Sequence, residues 1–229
     1  MYETNVLVRS DMKIQKDILS DTKKRIVETA GNIFAEFGFQ NTTIREICRQ
    51  AGVNIAAINY HFGDKKSLYL AVLKYGKDAA FRKHPLDVEF DKPLPPEEQL
   101  KEFVSRFIGR VQECHEGEFP WIRKLIAHEL LRPTEGLDMV AEEGIKPIFK
   151  TLSAIVRELL GKGVTEDTVN LCCASVVSQS LFFFYAQPMI KRLFPGKDYT
   201  DNKLIADHIT NFSLNAIKKF AINKKGDRQ

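Results

Sequence analysis

At 229 residues, with 44% hydrophobic and 28% charged side chains, the chain can bury a substantial core and has the composition of an ordinary soluble protein. It holds no run of about eighteen uninterrupted apolar residues, as a membrane span needs, and residues 1–19 lack a signal peptide's apolar stretch, so a cytoplasmic location without a membrane partner is expected. The formal charge of +4 is unevenly spread: residues 1–83 carry 14 Lys and Arg against 9 Asp and Glu, residues 84–229 carry 20 against 21, and the basic excess therefore points to an anionic partner for the N-terminal part.

In chain order, residues 1–19 read as a flexible extension. Ile26, Ala30, Ile33, Phe34 and Phe37 then recur at helical spacing and predict a first helix over about 21–37. Thr43 and Glu46 form a T-x-x-E capping box that opens a second helix, in which Ile44, Ile47, Cys48 and Ala51 make one apolar stripe and Gly52 provides the exit. Asn54 is the expected N-cap of a third helix, 55–62. Val53, Ile58 and Phe62 of this segment turn inward, while Ile55, Ala56, Asn59 and Tyr60 are left outside. Helix, tight turn and helix is the geometry that lays a second helix in the DNA major groove. Asp64 caps the next helix and puts Lys65 and Lys66 in its first turn, where the helix dipole disfavours cations unless an anion such as a phosphate is near.

These residues resemble the TetR family of bacterial transcriptional regulators. The match rests on an apolar first helix ending at Phe37-Gly38, then Thr42-Thr43-Ile44-x-x-Ile47-x-x-x-Ala51-Gly52-Val53, then Ile58-x-Tyr60-x-Phe62-x-x-Lys65-x-x-Leu68. One departure stands out: Asn59 follows Ile58 where many members carry tyrosine, and Tyr60 comes next. The later stretches Ala127-His128-Glu129-Leu130-Leu131-Arg132-Pro133-Thr134 and Ile145-Lys146-Pro147 look like the CecR-like subgroup. The resemblance implies a DNA-binding regulator, most often a repressor. Thr43, Tyr60, His61, Lys65 and Lys66 are expected on phosphates, and Asn54, Ile55, Ala56 and Asn59 on bases. His61 also reads as a structural histidine.

Downstream, Leu68, Ala71, Val72, Tyr75 and Ala79 mark a long helix, and the prolines of 84–96 break the chain. Leu100, Phe103, Val104, Phe107, Val111 and Cys114 line another helix; Pro120 starts one that ends before Pro133; Gly144 and Pro147 predict a kink or two helices over 137–160. The last two helices, about 165–186 and 201–222, are apolar beyond one stripe. The whole reads as all-α: an N-terminal three-helix domain with a helix-turn-helix at 20–67, a larger helical effector-binding and dimerisation domain at 68–222, and a flexible tail at 223–229. The resemblance implies a homodimer joined through the last two helices, for which Val176, Ser180, Phe184, Ile205, Ile209 and Phe212 are the expected contacts, and hence a palindromic double-stranded DNA operator. Phe103, Phe107, Phe119, Trp121, Leu125 and His128 are expected either to surround a small apolar or aromatic effector or simply to fill the core.

Catalysis finds little support. The four cysteines, Cys48, Cys114, Cys172 and Cys173, show no CxxC spacing, no H-E-x-x-H motif is present, and Cys114-His115-Glu116 diverge around a helix. No enzyme activity, metal or cofactor is expected.

Overall fold

The computed structural model describes residues 3–86, 94–117 and 119–226, with the side chains of 3–20, 115, 116 and 221–226 outside the described set. The helices are α1 (Glu3–Asn41), α2 (Ile44–Ala51), α3 (Ile55–Phe62), α4 (Lys65–Lys83), α5 (Pro96–Glu116), α6 (Trp121–Leu131), α7 (Glu135–Met139), α8 (Lys146–Leu160), α9 (Glu166–Tyr185), α10 (Gln187–Leu193) and α11 (Asn202–Gly226). No strand occurs among the described residues, and the fold is all-α. The backbone of α1 is helical from Glu3, where the sequence suggests an extension to residue 19; the end of the expected tail, 227–229, lies outside the described residues.

The chain divides into two compact units. The first comprises residues 1–77 and 121–140, the second 78–120 and 141–229. This differs from a boundary at residue 67, because α6 is folded into the first unit although it begins at Trp121, well after α4 ends at Lys83. It packs along α1, where Trp121, Ile122 and Leu125 are buried with Ile26, Ala30, Ile33 and Phe34. An added Cβ at Gly31 would lie 2.6–2.8 Å from the Trp121 indole, so the missing side chain is what lets the helices approach. α1 breaks at Gly38, whose φ of 75° is unfavourable for any other residue, and Thr42 Oγ1 closes the end by donating to the Gly38 carbonyl at 2.8 Å. Phe37, expected on the inward stripe, is half exposed; Phe39 instead turns in, with its ring centroid 5.0 Å from that of Tyr69.

In the second unit α5, α8, α9 and α11 pack on one another around Leu100, Phe107, Ile108, Leu152, Val156, Cys173, Val176 and Ile209. The interruption anticipated near Gly144 and Pro147 is a π-helical turn, Val140–Ile145, after which Pro147 sits in the first turn of α8, where its missing N–H costs nothing. α10 has no counterpart in the sequence reading, which ends its helix at 186. By length and composition α9 is apolar enough to cross a membrane, although polar Ser, Thr, Asn and Gln side chains interrupt its sequence; six of its residues are buried within the second unit.

Candidate nucleic-acid interface

The helix-turn-helix and the start of the helix after it are set by four capping interactions. Thr43 Oγ1 accepts from the Glu46 amide at 3.2 Å and opens α2. The reciprocal half of the box is absent, because the Glu46 carboxylate is taken by Arg49 Nη2 and Gln50 Nε2, each at 2.6 Å, and those contacts hold its pKa down at about 2. Gly52, at φ 63°, ends α2 in the left-handed conformation and sends its amide to the Cys48 carbonyl. Asn54 Oδ1 accepts from the Ala57 amide at 2.8 Å and starts α3; Asp64 Oδ1 does the same for the Ser67 amide at 2.7 Å and starts α4.

The consequence is a two-turn helix with one buried anchor. Ile58 is sealed in the core with Ile47 and Leu68, while Ile55, Ala56 and Asn59 face solvent and Tyr60 is 76% exposed. Thr43 and Asn54 are exposed at the helix starts, and His61 is half-buried beside Tyr60 with their ring centroids 5.1 Å apart. These seven residues thus fall on two adjoining helices and their caps. Lys65 and Lys66 are placed differently from the expected bare pair. Lys65 Nζ donates to the Gln40 carbonyl at 3.3 Å and lies 4.6 Å from the Phe39 ring centroid, and partial burial lowers its pKa. Lys66 Nζ pairs with the Glu135 carboxylate at the start of α7.

Comparison with known proteins agrees with this geometry. Residues 26–72 match the family model described as bacterial regulatory proteins, tetR family, and residues 96–217, more than half of the chain, match the C-terminal domain of the HTH-type transcriptional dual regulator CecR. The CecR regulator of Shigella flexneri is 31% identical over 167 residues, covering 70% of this chain and 74% of that protein. The chain belongs to the TetR family. It is accordingly a DNA-binding transcriptional regulator of the CecR-like kind and not an enzyme. The transcriptional repressor NicS of Pseudomonas putida is 26% identical over 202 residues, or 86% of this chain and 91% of that one. The structure of AibR in complex with isovaleryl coenzyme A and operator DNA shares the fold, with a TM-score of 0.58 at 18% identity over 83% of this chain and 97% of that one.

The second half of this TetR-family chain rearranges two of the expected residue sets. Of the six proposed dimer contacts, Val176, Ser180, Phe184, Ile205 and Ile209 are buried in the chain's own second core, and Phe212 alone is outward at 60% exposure. The reason is helical phase: α9 is apolar on two faces, and spacing alone does not say which face the other helices of the unit cover. The uncovered face carries Leu171, Ser175 and Phe182 on α9, with Leu204, Phe212 and Phe220 on α11. Between the two helices lies an apolar cavity of about 220 Å³, reached by Leu171, Val176, Phe212, Ile217 and Phe220.

The proposed effector residues fall into different units. Phe103 and Phe107 are stacked with centroids 6.0 Å apart in the second unit, which also holds buried Phe119. Trp121 and Leu125 are buried in the first, with His128 partly buried on the same helix. What local spacing missed is Glu129. It is 1% exposed and accepts from Tyr69 Oη at 2.6 Å, from the Thr134 amide at 2.9 Å and from Thr134 Oγ1 at 2.9 Å. Burial and this bond push the Tyr69 hydroxyl's pKa upward. A glutamate on an otherwise apolar helix face was the signal available.

Proposed function

We infer that the chain is a repressor that binds a palindromic operator as a homodimer, in the cytoplasm, and releases it on binding a small apolar or aromatic effector. The observation that carries the DNA reading is the exposed face of α3: Ile55, Ala56, Asn59 and Tyr60 stand in water on a rigidly capped two-turn helix, where only an external partner gives them a role. Asn54, Ile55, Ala56 and Asn59 read bases, and Thr43, Tyr60, His61, Lys65 and Lys66 meet phosphates. In this arrangement DNA phosphates displace the Gln40 carbonyl and Glu135 from the two ammonium groups, an exchange that compensates both ammonium charges and returns the exposed Glu135 carboxylate to water. Repression is supported by the likeness to NicS along most of both chains.

A second copy covers the α9 and α11 face. Leu171, Phe182, Phe212 and Phe220 are too many large apolar groups to leave in water on two adjacent helices, and their burial would drive association. The effector class follows the aromatic content of the second unit, with Phe103, Phe107 and Phe119 as contacts there and the stacked pair parting on entry. Trp121, Leu125 and His128 belong to α6 of the first unit and are not assigned to that site. A coupling of about 1–3 kcal/mol between effector and operator suffices for control.

Selection of the operator from random duplexes, followed by binding of Asn59→Ala and Lys65→Ala, tests the reading. Asn59→Ala should relax preference at one or two base pairs, each worth about 1–3 kcal/mol. Lys65→Ala should weaken every duplex alike and flatten the salt slope by about one unit. An equal loss on specific and scrambled DNA in Asn59→Ala would remove Asn59 from base reading, and failure to select any palindrome would remove the dimeric operator.

A further inference from the structure

The first unit contains a cavity that neither DNA nor a second copy needs. It measures about 330 Å³ and lies between the C-terminal turn of α1 and the end of α6, with Phe37, Phe39, Tyr69, His128, Glu129 and Leu131 on its wall. One of these side chains lacks a charged partner and another lacks a hydrogen-bond partner. Glu129 is almost wholly withdrawn from water, yet its three hydrogen bonds come from the neutral donors Tyr69 and Thr134, and it forms no ion pair among the described residues. A buried carboxylate ordinarily has a cation beside it. On the adjacent residue, Nδ1 of His128 is buried without a hydrogen-bond partner and lies 3.9 Å from where a Cβ on Gly38 would sit. An anionic oxygen and an imidazole nitrogen on one wall call for a positively charged N–H donor.

The rest of the wall suits the remainder of such a molecule. Aromatic faces attract cations as well as apolar groups, and Phe39 already carries the Lys65 ammonium. Glu36 adds a second acidic group, while exposed Arg132 is a cation that borders the same space and opposes it. We propose that this cavity binds a small organic ammonium ion bearing an apolar or aromatic group, with Glu129 as counter-charge and His128 as hydrogen-bond acceptor. Anions are repelled by the two carboxylates, and neutral isosteres leave Glu129 uncompensated.

Titration calorimetry on the whole chain without DNA decides this, and it does so independently of the operator reading. The probes are 2-phenylethylammonium, its neutral isostere 2-phenylethanol and the anion phenylacetate. The ammonium should bind at least about tenfold more tightly than the alcohol, and the carboxylate should not bind. His128→Phe removes an unpartnered nitrogen and fills space, so it should keep or raise the melting temperature while weakening the ammonium by about tenfold. Glu129→Gln should weaken it as well; should that variant not fold, His128→Phe carries the decision. Equal binding of alcohol and ammonium, unchanged ammonium affinity in His128→Phe, or no heat from the ammonium up to about 10 mM overturns the proposal.

Discussion

Thr43, Asn54 and Asp64 cap helices because their side-chain oxygens reach amides three residues on, a distance set by the helix itself. Lys65 and Lys66 look like a bare cationic pair in sequence, because their partners, Gln40 and Glu135, are supplied by the fold. Burial also sets the titration of two kinds of group. It lowers the pKa of His84, whose ring lies within 2.8 Å of where a Gly109 Cβ would be; Glu113 opposes the shift and Arg110, Lys83 and Arg106 add to it. The folded chain therefore binds fewer protons at this site than the unfolded chain below its ordinary pKa of about 6.5. The associated stability is present above that value and is lost as pH falls through the folded value. Urea unfolding of wild type and His84→Asn between about pH 7 and 5 should show a shallower pH dependence in the variant, and identical slopes would count against it. Burial likewise pushes the Cys114 and Cys173 thiols up to about 11. At pH 7 the native chain should react slowly with iodoacetamide and the denatured chain quickly at all four cysteines. Rapid labelling of native Cys114 would instead mark a reactive, exposed thiol.

Among the elements, α6 shows how close packing recruits a distant segment into the DNA-binding unit. Its first residues were legible as a helix after Pro120, but nothing in their spacing tied them to α1. The tie is the fit of Trp121 against Gly31 and of Ile122 against Gly76, where added Cβ atoms would meet side-chain carbons at 2.6–2.8 Å and from 2.9 Å respectively. An indole is rigid and broad, whereas an isoleucine can turn its outer carbons aside. Gly31→Ala should therefore destabilise the chain by about 1–3 kcal/mol, with Gly76→Ala the milder change. Thermal melts compare them directly, and a Gly31→Ala melt at the wild-type temperature would show that α1 and α6 have slack. The π-helical turn Val140–Ile145 has a similar lesson. Gly144 and Pro147 announce an interruption through their backbone chemistry, yet the form it takes depends on the helices on either side.

For the whole molecule, the position of the proposed dimer face is the consequence that most changes an experiment. Phe184→Glu reads from sequence as a probe of association, but Phe184 is only 4% exposed within one chain, and a carboxylate there would cost several kcal/mol of folding. Phe212→Glu puts its charge in solvent on the isolated chain and at the centre of the proposed contact. It should leave the helical circular dichroism intact, convert the dimer to monomer in sedimentation velocity, and abolish operator binding. A Phe212→Glu dimer as tight as wild type would displace the interface from α9 and α11.

The sequence by itself determined the all-α class, the two capped helices with Gly52 between them, and the family, because capping, apolar period and turn chemistry act over three or four residues. Tertiary structure decided which face of α9 lies inside, which unit α6 joins, and what holds Lys65, Lys66 and Glu129. Those outcomes depend on groups brought together from 25 to 69 positions apart, and on a steric fit, Trp121 over Gly31, that no local pattern encodes.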